Sequence, residues 1–220
     1  MLRRSIAVLV SLAAAAPAAA ERRSAGGSLT MSARGAAELD PATDDRVLAS
    51  TGAVDLMAMY GKRSAVAVAV GFEVGAEIPG GFAYAMRLMP VGGAIRFGKR
   101  GWIGAVGGIG GSGVIDRVPI GLELPITGFL AFDLGEWLRF SSRARVAWIP
   151  TSDRRDGGSR SADFVDELDL EAGFAFGKRE SKYRSVFSDG TYLGVFVREQ
   201  LDQRIVGVSL ALAISGAGNF

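Results

Sequence analysis

Residues 66–78 read VAVAVGFEVGAEI, and this stretch decides the fold. Its even positions hold mostly bulky apolar side chains, whereas its odd positions hold only alanine, glycine and glutamate. A helix would scatter these two sets around its circumference, but a strand sends alternate side chains to opposite faces. The stretch is therefore predicted to be an amphipathic strand.

The same alternation recurs along the chain, and short polar turns separate the alternating segments. Short connections join antiparallel strands, so the pattern predicts a series of hairpins, with a bend at residues 90–93. The other clear segments are 118–134, 138–148, 167–176 and 206–214, and the weaker ones are 52–60, 82–97, 101–109 and 191–198.

These nine segments predict an all-β chain that closes into an antiparallel up-and-down barrel. A bacterial barrel of this kind has an even number of strands, so either one segment is not a strand or residues 28–36 supply a tenth. The expectation is a closed transmembrane β-barrel of about eight to ten strands. The two long polar segments, 150–163 and 177–190, are expected on opposite sides, with the second a candidate plug of the lumen.

The two faces of the strands indicate which solvent each one meets. A water-soluble β-protein usually carries lysine, threonine and glutamine opposite its core, whereas these strands carry glycine, alanine and isolated charges there. That composition suits a narrow lumen, with the bulky apolar face toward lipid. Aromatic residues near strand ends are interpreted as lipid-interface girdles. They are Tyr60, Phe82, Tyr84, Trp102, Phe132, Trp148, Phe174 and Phe176.

Charged residues on the small-residue face are predicted to meet in the lumen. Arginines on residues 138–148 face acids on residues 167–176, which predicts a salt-bridge ladder between neighbouring strands. The alternatives are the wall of a small polar conduit and a hard-cation site among the acids. The predicted lumen charges are Glu73, Glu77, Glu123, Arg139, Arg143, Arg145, Glu167, Asp169 and Glu171, and the same face carries Asp55, Arg87 and Asp133.

The first twenty residues are predicted to be an export signal rather than part of the fold. Arg3 and Arg4 precede an apolar stretch at residues 6–16, and a small-residue cleavage site at residues 18–20 comes before Glu21. Residues 21–48 are then an N-terminal segment with one extra strand as an option, and residues 49–220 are the barrel domain.

Composition excludes several classes of function. The 220 residues include no cysteine and no histidine, which removes thiol chemistry, thiolate metal sites and the commonest general base. Loss of the signal takes two of the 25 basic residues and leaves 23 against 23 acidic ones, so no nucleic-acid partner is expected. No enzymatic activity, cofactor or metal is predicted. The glycine run at residues 108–113 matches a dinucleotide fingerprint, but strand-like residues and Pro119 follow it where a helix is needed.

From residue 52 onward the chain resembles the small bacterial outer-membrane β-barrel superfamily, which includes OmpA-like and OmpX-like proteins. The resemblance is carried by the strand pattern and by a final strand at residues 206–214 followed by Phe220. It implies export to the outer membrane of a Gram-negative cell, contact with outer-membrane lipid, and insertion by the barrel-insertion machinery through the terminal strand. Gly216 and Gly218 depart from the bulky residues that the family usually has there.

The pattern favours a structural or passively permissive outer-membrane barrel, with a narrow lumen filled by its own side chains. A narrow porin-like channel for small solutes is one alternative. A soluble periplasmic barrel that binds an apolar ligand inside is the other, and it requires the bulky apolar face to point inward.

Overall fold

The structure is a computed structural model that describes residues 24–38, 48–61, 63–78, 82–98, 100–114, 118–148, 167–177, 190–200 and 203–219. No helix long and apolar enough to cross a membrane occurs among these residues. They form ten β-strands. The strands are β1 (Ser24–Glu38), β2 (Leu48–Gly61), β3 (Ser64–Ile78), β4 (Phe82–Phe97), β5 (Gly101–Val114), β6 (Val118–Asp133), β7 (Leu138–Trp148), β8 (Glu167–Phe176), β9 (Gly190–Gln200) and β10 (Gln203–Asn219).

The ten strands close into an antiparallel barrel, which confirms the predicted fold class. Each strand pairs with its neighbours in sequence, and β1 pairs with β10 from Ser24 opposite Asn219 to Glu38 opposite Ile205. The even count comes from β1, which covers the optional strand at residues 28–36 and lies before the predicted start of the barrel domain. Closure matters because it leaves no strand edge unpaired.

The barrel has two ends with different connections. The terminal end holds Ser24, Asn219 and the connections that follow β2, β4, β6 and β8. The distal end holds the connections that follow β1, β3, β5, β7 and β9. The predicted long segments 150–163 and 177–190 therefore belong to opposite ends, although most of their residues, like those of the export signal, lie outside the described ones.

A β-bulge lies in β4 at the predicted bend. The register with β5 shifts between Leu88 and Val91, which pair with Ile109 and Gly107. Pro90 has no N–H to give to a ladder, and a proline inside a strand is tolerated at such a bulge. The extra residue switches the parity of β4, so Met89 points inward before the bulge and Ala94 points inward after it.

The bulky apolar side chains point outward, as predicted. Along β3 the odd positions 65–75 are buried, while Val66, Val68, Val70 and Phe72 are exposed. The barrel exterior is therefore an apolar band, whereas most interior positions are small or charged. Other exposed apolar side chains include Leu56, Leu88, Ile103, Ile126, Leu170, Val195, Leu210 and Leu212.

The prediction that Trp102 belongs to the aromatic girdle was wrong. Trp102 is buried inside the barrel, because the inward positions of β5 are even and glycines on both faces hid that parity. It belongs to a cluster in the barrel interior that we call the apolar plug. The apolar plug consists of Met59, Ala65, Ala67, Ala69, Met89, Ala94, Trp102 and Val106, with Met57 and Phe129 packed against it.

Candidate functional site

Charged side chains from eight strands meet inside the barrel and form one connected set, which we call the lumen charge network. Each strand contributes from its inward-facing parity, and the set lies beside the apolar plug rather than within it. Most of its members are almost fully buried, and Glu123 is 0% exposed. The members are Arg34, Asp55, Glu73, Arg87, Glu123, Arg143, Arg145, Glu167, Asp169, Glu171 and Arg198.

Glu73 on β3 is the first centre of the network. Its Oε2 accepts from Arg87 Nη1 at 3.1 Å and from Arg145 Nη2 at 3.5 Å, and its Oε1 accepts from Arg198 Nη2. Because these arginines come from β4, β7 and β9, one carboxylate links strands on different sides of the barrel. Charge-assisted hydrogen bonds of this kind offset the cost of burying the charges.

Asp169 on β8 is the second centre. Its Oδ2 accepts from Arg34 Nη1 at 2.8 Å, from Arg145 Nη2 at 3.0 Å and from Arg198 Nη2 at 3.0 Å. Arg145 also donates from Nη2 to Glu167 Oε1 at 2.6 Å. Arg145 therefore lies against three carboxylates, and its removal would leave all of them without a major partner.

Several ion pairs span the lumen. Arg143 on β7 donates to Asp55 on β2 with Nη1 to Oδ2 at 3.0 Å, and these strands are five positions apart around the ring in either direction. Arg87 on β4 lies 3.6 Å from Glu167 on β8, four positions away. A pair between diametrically opposed strands requires side chains that reach across the space between the walls. These pairs therefore place charged side chains within the lumen at this level.

Glycine makes room for the network at two places on the wall. Gly110 on β5 lies between Arg87 and Glu123, and a Cβ there would be 2.6 Å from the Met86 carbonyl oxygen and 3.1 Å from Arg87 Cγ. Without that Cβ, Arg87 crosses β5 and donates from Nε to Glu123 Oε1 at 2.6 Å. Gly71 does the same for Asp55, because a Cβ on Gly71 would lie 2.8 Å from Asp55 Oδ1.

The seam between the first and last strands is tied to the network from inside. Arg34 on β1 faces Ser209 on β10 across the seam. Ser209 Oγ donates to Glu171 Oε1 at 2.6 Å, and Arg34 Nη2 donates to Glu171 Oε2. The Arg34 guanidinium carbon also lies 5.0 Å from the centre of the Phe196 ring, a cation–π contact. Glu171 thus binds both strands that meet at the seam.

The structure brings together seven of the nine predicted lumen charges. The ladder between β7 and β8 has Arg143 opposite Glu171 and Arg145 opposite Asp169. Arg139 lies apart and donates from Nε to Asp133 Oδ1 at 2.8 Å on the neighbouring strand. The side chain of Glu77 lies outside the described residues. The seven are Glu73, Glu123, Arg143, Arg145, Glu167, Asp169 and Glu171.

Sequence reasoning missed two members, Arg34 and Arg198. Arg34 lies in β1, where glycine, alanine and serine occur on both faces and leave no contrast between them. Arg198 shares its parity with Tyr192 and Phe196, two aromatic residues that suggest a lipid-facing side. The inward aromatic residues are accommodated by Gly173 and Gly194, since a Cβ on Gly173 would lie 2.8 Å from the Tyr192 hydroxyl. In the part of the chain that the structure describes, no group of three or more acidic residues could hold a metal ion.

No family model and no curated protein matches the chain. Among solved structures it is similar to the translocator domain of the autotransporter NalP from Neisseria meningitidis, at 10% identity and TM-score 0.36, covering 97% of this chain and 94% of that one. It is similar to the KdgM porin in complex with disordered oligogalacturonate, at 9% identity and TM-score 0.36, covering 86% and 98%. It is also similar to the outer membrane protein opdK from Pseudomonas aeruginosa, at 9% identity and TM-score 0.21, covering 89% and 99%.

At these identities and TM-scores nothing about the activity of those proteins transfers to this chain. The class that its own structure defines is a closed ten-stranded β-barrel with an apolar exterior and a charged interior.

Proposed function

We propose that the chain is a bacterial outer-membrane β-barrel with a structural or passively permissive role, closed inside by the lumen charge network. The exterior supports the membrane part of the proposal. Large apolar side chains are exposed all around the wall, for example Met31 on β1, Phe72 on β3 and Leu170 on β8. Such a surface would drive aggregation in water but matches the hydrocarbon core of a bilayer. An apolar ligand-binding interior, which the soluble alternative needs, conflicts with the buried carboxylates and guanidiniums.

The lumen-spanning pair of Arg143 and Asp55 is the observation that carries the closed-barrel part of the proposal. Their contact at 3.0 Å joins opposite walls, and Glu73 is bound by arginines from three other strands. A solute would have to break several charge-assisted hydrogen bonds to pass, at about 1.5–3 kcal/mol for each. This favours a filled lumen over the narrow channel.

Delivery and insertion follow from the sequence predictions. Residues 1–20 are proposed to direct export, and the last strand with Phe220 is proposed to engage the barrel-insertion machinery. Residues 1–23 and Phe220 lie outside the described residues, and membership of the OmpA-like and OmpX-like superfamily stays a prediction.

The membrane proposal is tested by fractionation and by gel mobility. The exported protein should stay with membranes after an alkaline wash, and the folded form should run differently on a gel before and after boiling. Release by the wash together with an absence of any heat-dependent shift would contradict insertion.

The closed-barrel proposal is tested by conductance in planar bilayers. We expect the native protein to pass little current, and the double variant Asp55→Ala/Arg143→Ala to pass clearly more. The matched control is Asp133→Ala/Arg139→Ala, which removes a pair of the same chemistry that joins neighbouring strands and does not cross the lumen. A steady native conductance that Asp55→Ala/Arg143→Ala does not change would contradict closure by this network and support the small-solute channel.

A further inference from the structure

A four-residue sequence recurs at three of the connections of the barrel. An aromatic residue is followed by glycine, lysine and arginine at 60–63, 97–100 and 176–179. These tetrads end β2, β4 and β8, and all three of those strands finish at the terminal end. Three copies at one end of a ten-stranded barrel indicate a shared role for that end.

The described members of the tetrads show how each residue is placed. Tyr60, Phe97 and Phe176 are exposed on the outer face of the barrel, at the edge of the apolar band nearest the terminal end. Gly98 has φ of 58°, a left-handed conformation that glycine adopts without strain, and it lets the chain turn directly after the ring. Phe97 also stacks on Phe132 of β6, with ring centres 6.1 Å apart.

The arginines of the first two tetrads lie just beyond the aromatic rings and are exposed. Their backbones are fixed by neighbouring strands. The Arg63 carbonyl accepts from the Arg96 N–H at 2.7 Å, and the Arg100 carbonyl accepts from the Asp133 N–H at 2.9 Å. The backbone of each arginine is therefore held in place on the rim of the barrel, directly beyond the apolar band.

Charge is distributed unequally between the two ends. In the sequence, the four lysines fall between β2 and β3, between β4 and β5, and between β8 and β9, which are strand pairs that meet at the terminal end. The connections of that end carry eight basic and three acidic residues, whereas those of the distal end carry nine acidic and five basic residues. The segments that join strands at the terminal end are thus net basic in sequence, and those that join strands at the distal end are net acidic.

We propose that the terminal end is a docking surface for the headgroups of anionic phospholipids, formed by Arg63 and Arg100 with the exposed rings of Tyr60 and Phe97. The inference rests on the proposed function, since it requires the barrel to sit in a bilayer. Rings at the edge of the hydrocarbon region hold the barrel at a fixed depth. Guanidinium groups just outside that edge meet lipid phosphates, which arginine binds through paired hydrogen bonds. Anionic phospholipid is favoured over zwitterionic lipid because Arg63 and Arg100 are exposed and the segments that join strands at this end are net basic in sequence.

The test uses the folded full-length barrel in neutral detergent, checked by its heat-dependent gel shift. Native mass spectrometry measures the binding of phosphatidylglycerol, phosphatidylcholine and lipopolysaccharide. We expect phosphatidylglycerol to bind roughly tenfold more tightly than phosphatidylcholine, a difference of about 1.4 kcal/mol, because basic residues near an anionic surface attract it. The preference should disappear in Arg63→Glu/Arg100→Glu and weaken in Arg63→Gln/Arg100→Gln, which disturbs the fold less.

The matched control is Arg46→Glu/Arg117→Glu, which makes the same change of charge in connections of the distal end. It should keep the preference for phosphatidylglycerol. Equal binding of the two phospholipids by the native protein would overturn the proposal, as would equal losses in both charge-reversed variants. Tighter binding of lipopolysaccharide that is lost in Arg63→Glu/Arg100→Glu would also overturn it, since this end would then face a different leaflet. A native barrel that lacks the heat-dependent shift would instead contradict the proposed function.

Discussion

The interior of the barrel is filled in two different ways. Toward the distal end, Glu73, Arg87 and Arg198 lie nearer the distal tips of their strands and join the lumen charge network. Toward the terminal end, Met59 and Trp102 lie near the other tips and pack in the apolar plug. The network reaches across the lumen through directional bonds, whereas the plug fills volume along the side formed by β2 to β5.

The two regions fill the interior through different interactions, apolar packing in the plug and charge pairing in the network. Packing in the plug depends on shape and tolerates exchange among apolar residues of similar volume. The network depends on pairing, because a buried charge without its partner is costly. Single substitutions should therefore have larger effects in the network than in the plug, except where water already reaches the network.

The largest expected effect is that of Arg145→Met. It removes the one arginine that contacts Glu73, Glu167 and Asp169 together in a buried site, and removal of one partner of a buried pair costs about 3–5 kcal/mol. The free energy of unfolding, measured by urea titration in lipid vesicles, should fall by that amount. A loss below about 1 kcal/mol would show that the network contributes little, since exposed pairs reach only that value.

Trp102→Ala should have the next largest effect and tests the plug directly. It removes the largest side chain of the plug and is expected to cost about 3 kcal/mol in the same titration. Trp102→Phe is the matched control and should cost much less, because the plug responds to volume. If the phenylalanine variant lost as much as the alanine variant, volume would not explain how the plug stabilises the barrel.

Gly110→Ala tests whether the lumen charge network needs the space that this glycine leaves on the barrel wall. The new Cβ would press on the Met86 carbonyl and displace Arg87, at a cost of about 1–2 kcal/mol. Gly128→Ala is the control on the neighbouring strand, since the nearest atom to a Cβ there is 3.8 Å away. Equal stability of the two variants in urea would contradict the role given to Gly110.

Asp55→Asn should have the smallest effect, about 1 kcal/mol or less. The side chains of Asp55 and Arg143 are 31% and 27% exposed, so water already solvates this pair. Its contribution should shrink further as salt is raised from about 0.1 M to 1 M, because exposed charge pairs are screened much more strongly than buried ones. An effect of Asp55→Asn that is independent of salt would show that this pair is as buried as the rest.

Much of the fold could be predicted from the sequence. The alternation in residues 66–78 indicated both the strand and its outward-facing side, and residues 90–93 indicated a bend where β4 has its bulge. The first strand was only an option, because its small residues give both faces the same character. Trp102 was assigned to the wrong face for the same reason, since glycines surround it in β5.

The contacts of the lumen charge network were predictable only between strands that follow one another in the sequence. Arg143 and Arg145 lie on the strand that precedes Glu171 and Asp169, so parity alone put them on the same face of neighbouring strands, and the structure gives their register. The partners across the lumen could not be predicted in this way. Whether Arg143 meets Asp55 depends on the number of strands, their stagger and the glycines on the wall, and none of these is encoded locally.

A slip of β10 by two residues would keep its inward parity but would replace Ser209 with Gly207 or Ala211, neither of which has a hydroxyl. A misaligned barrel would then leave the Glu171 carboxylate without one of its donors. The observed register of the last strand on the first is thus stabilised by a side chain that belongs to neither of them.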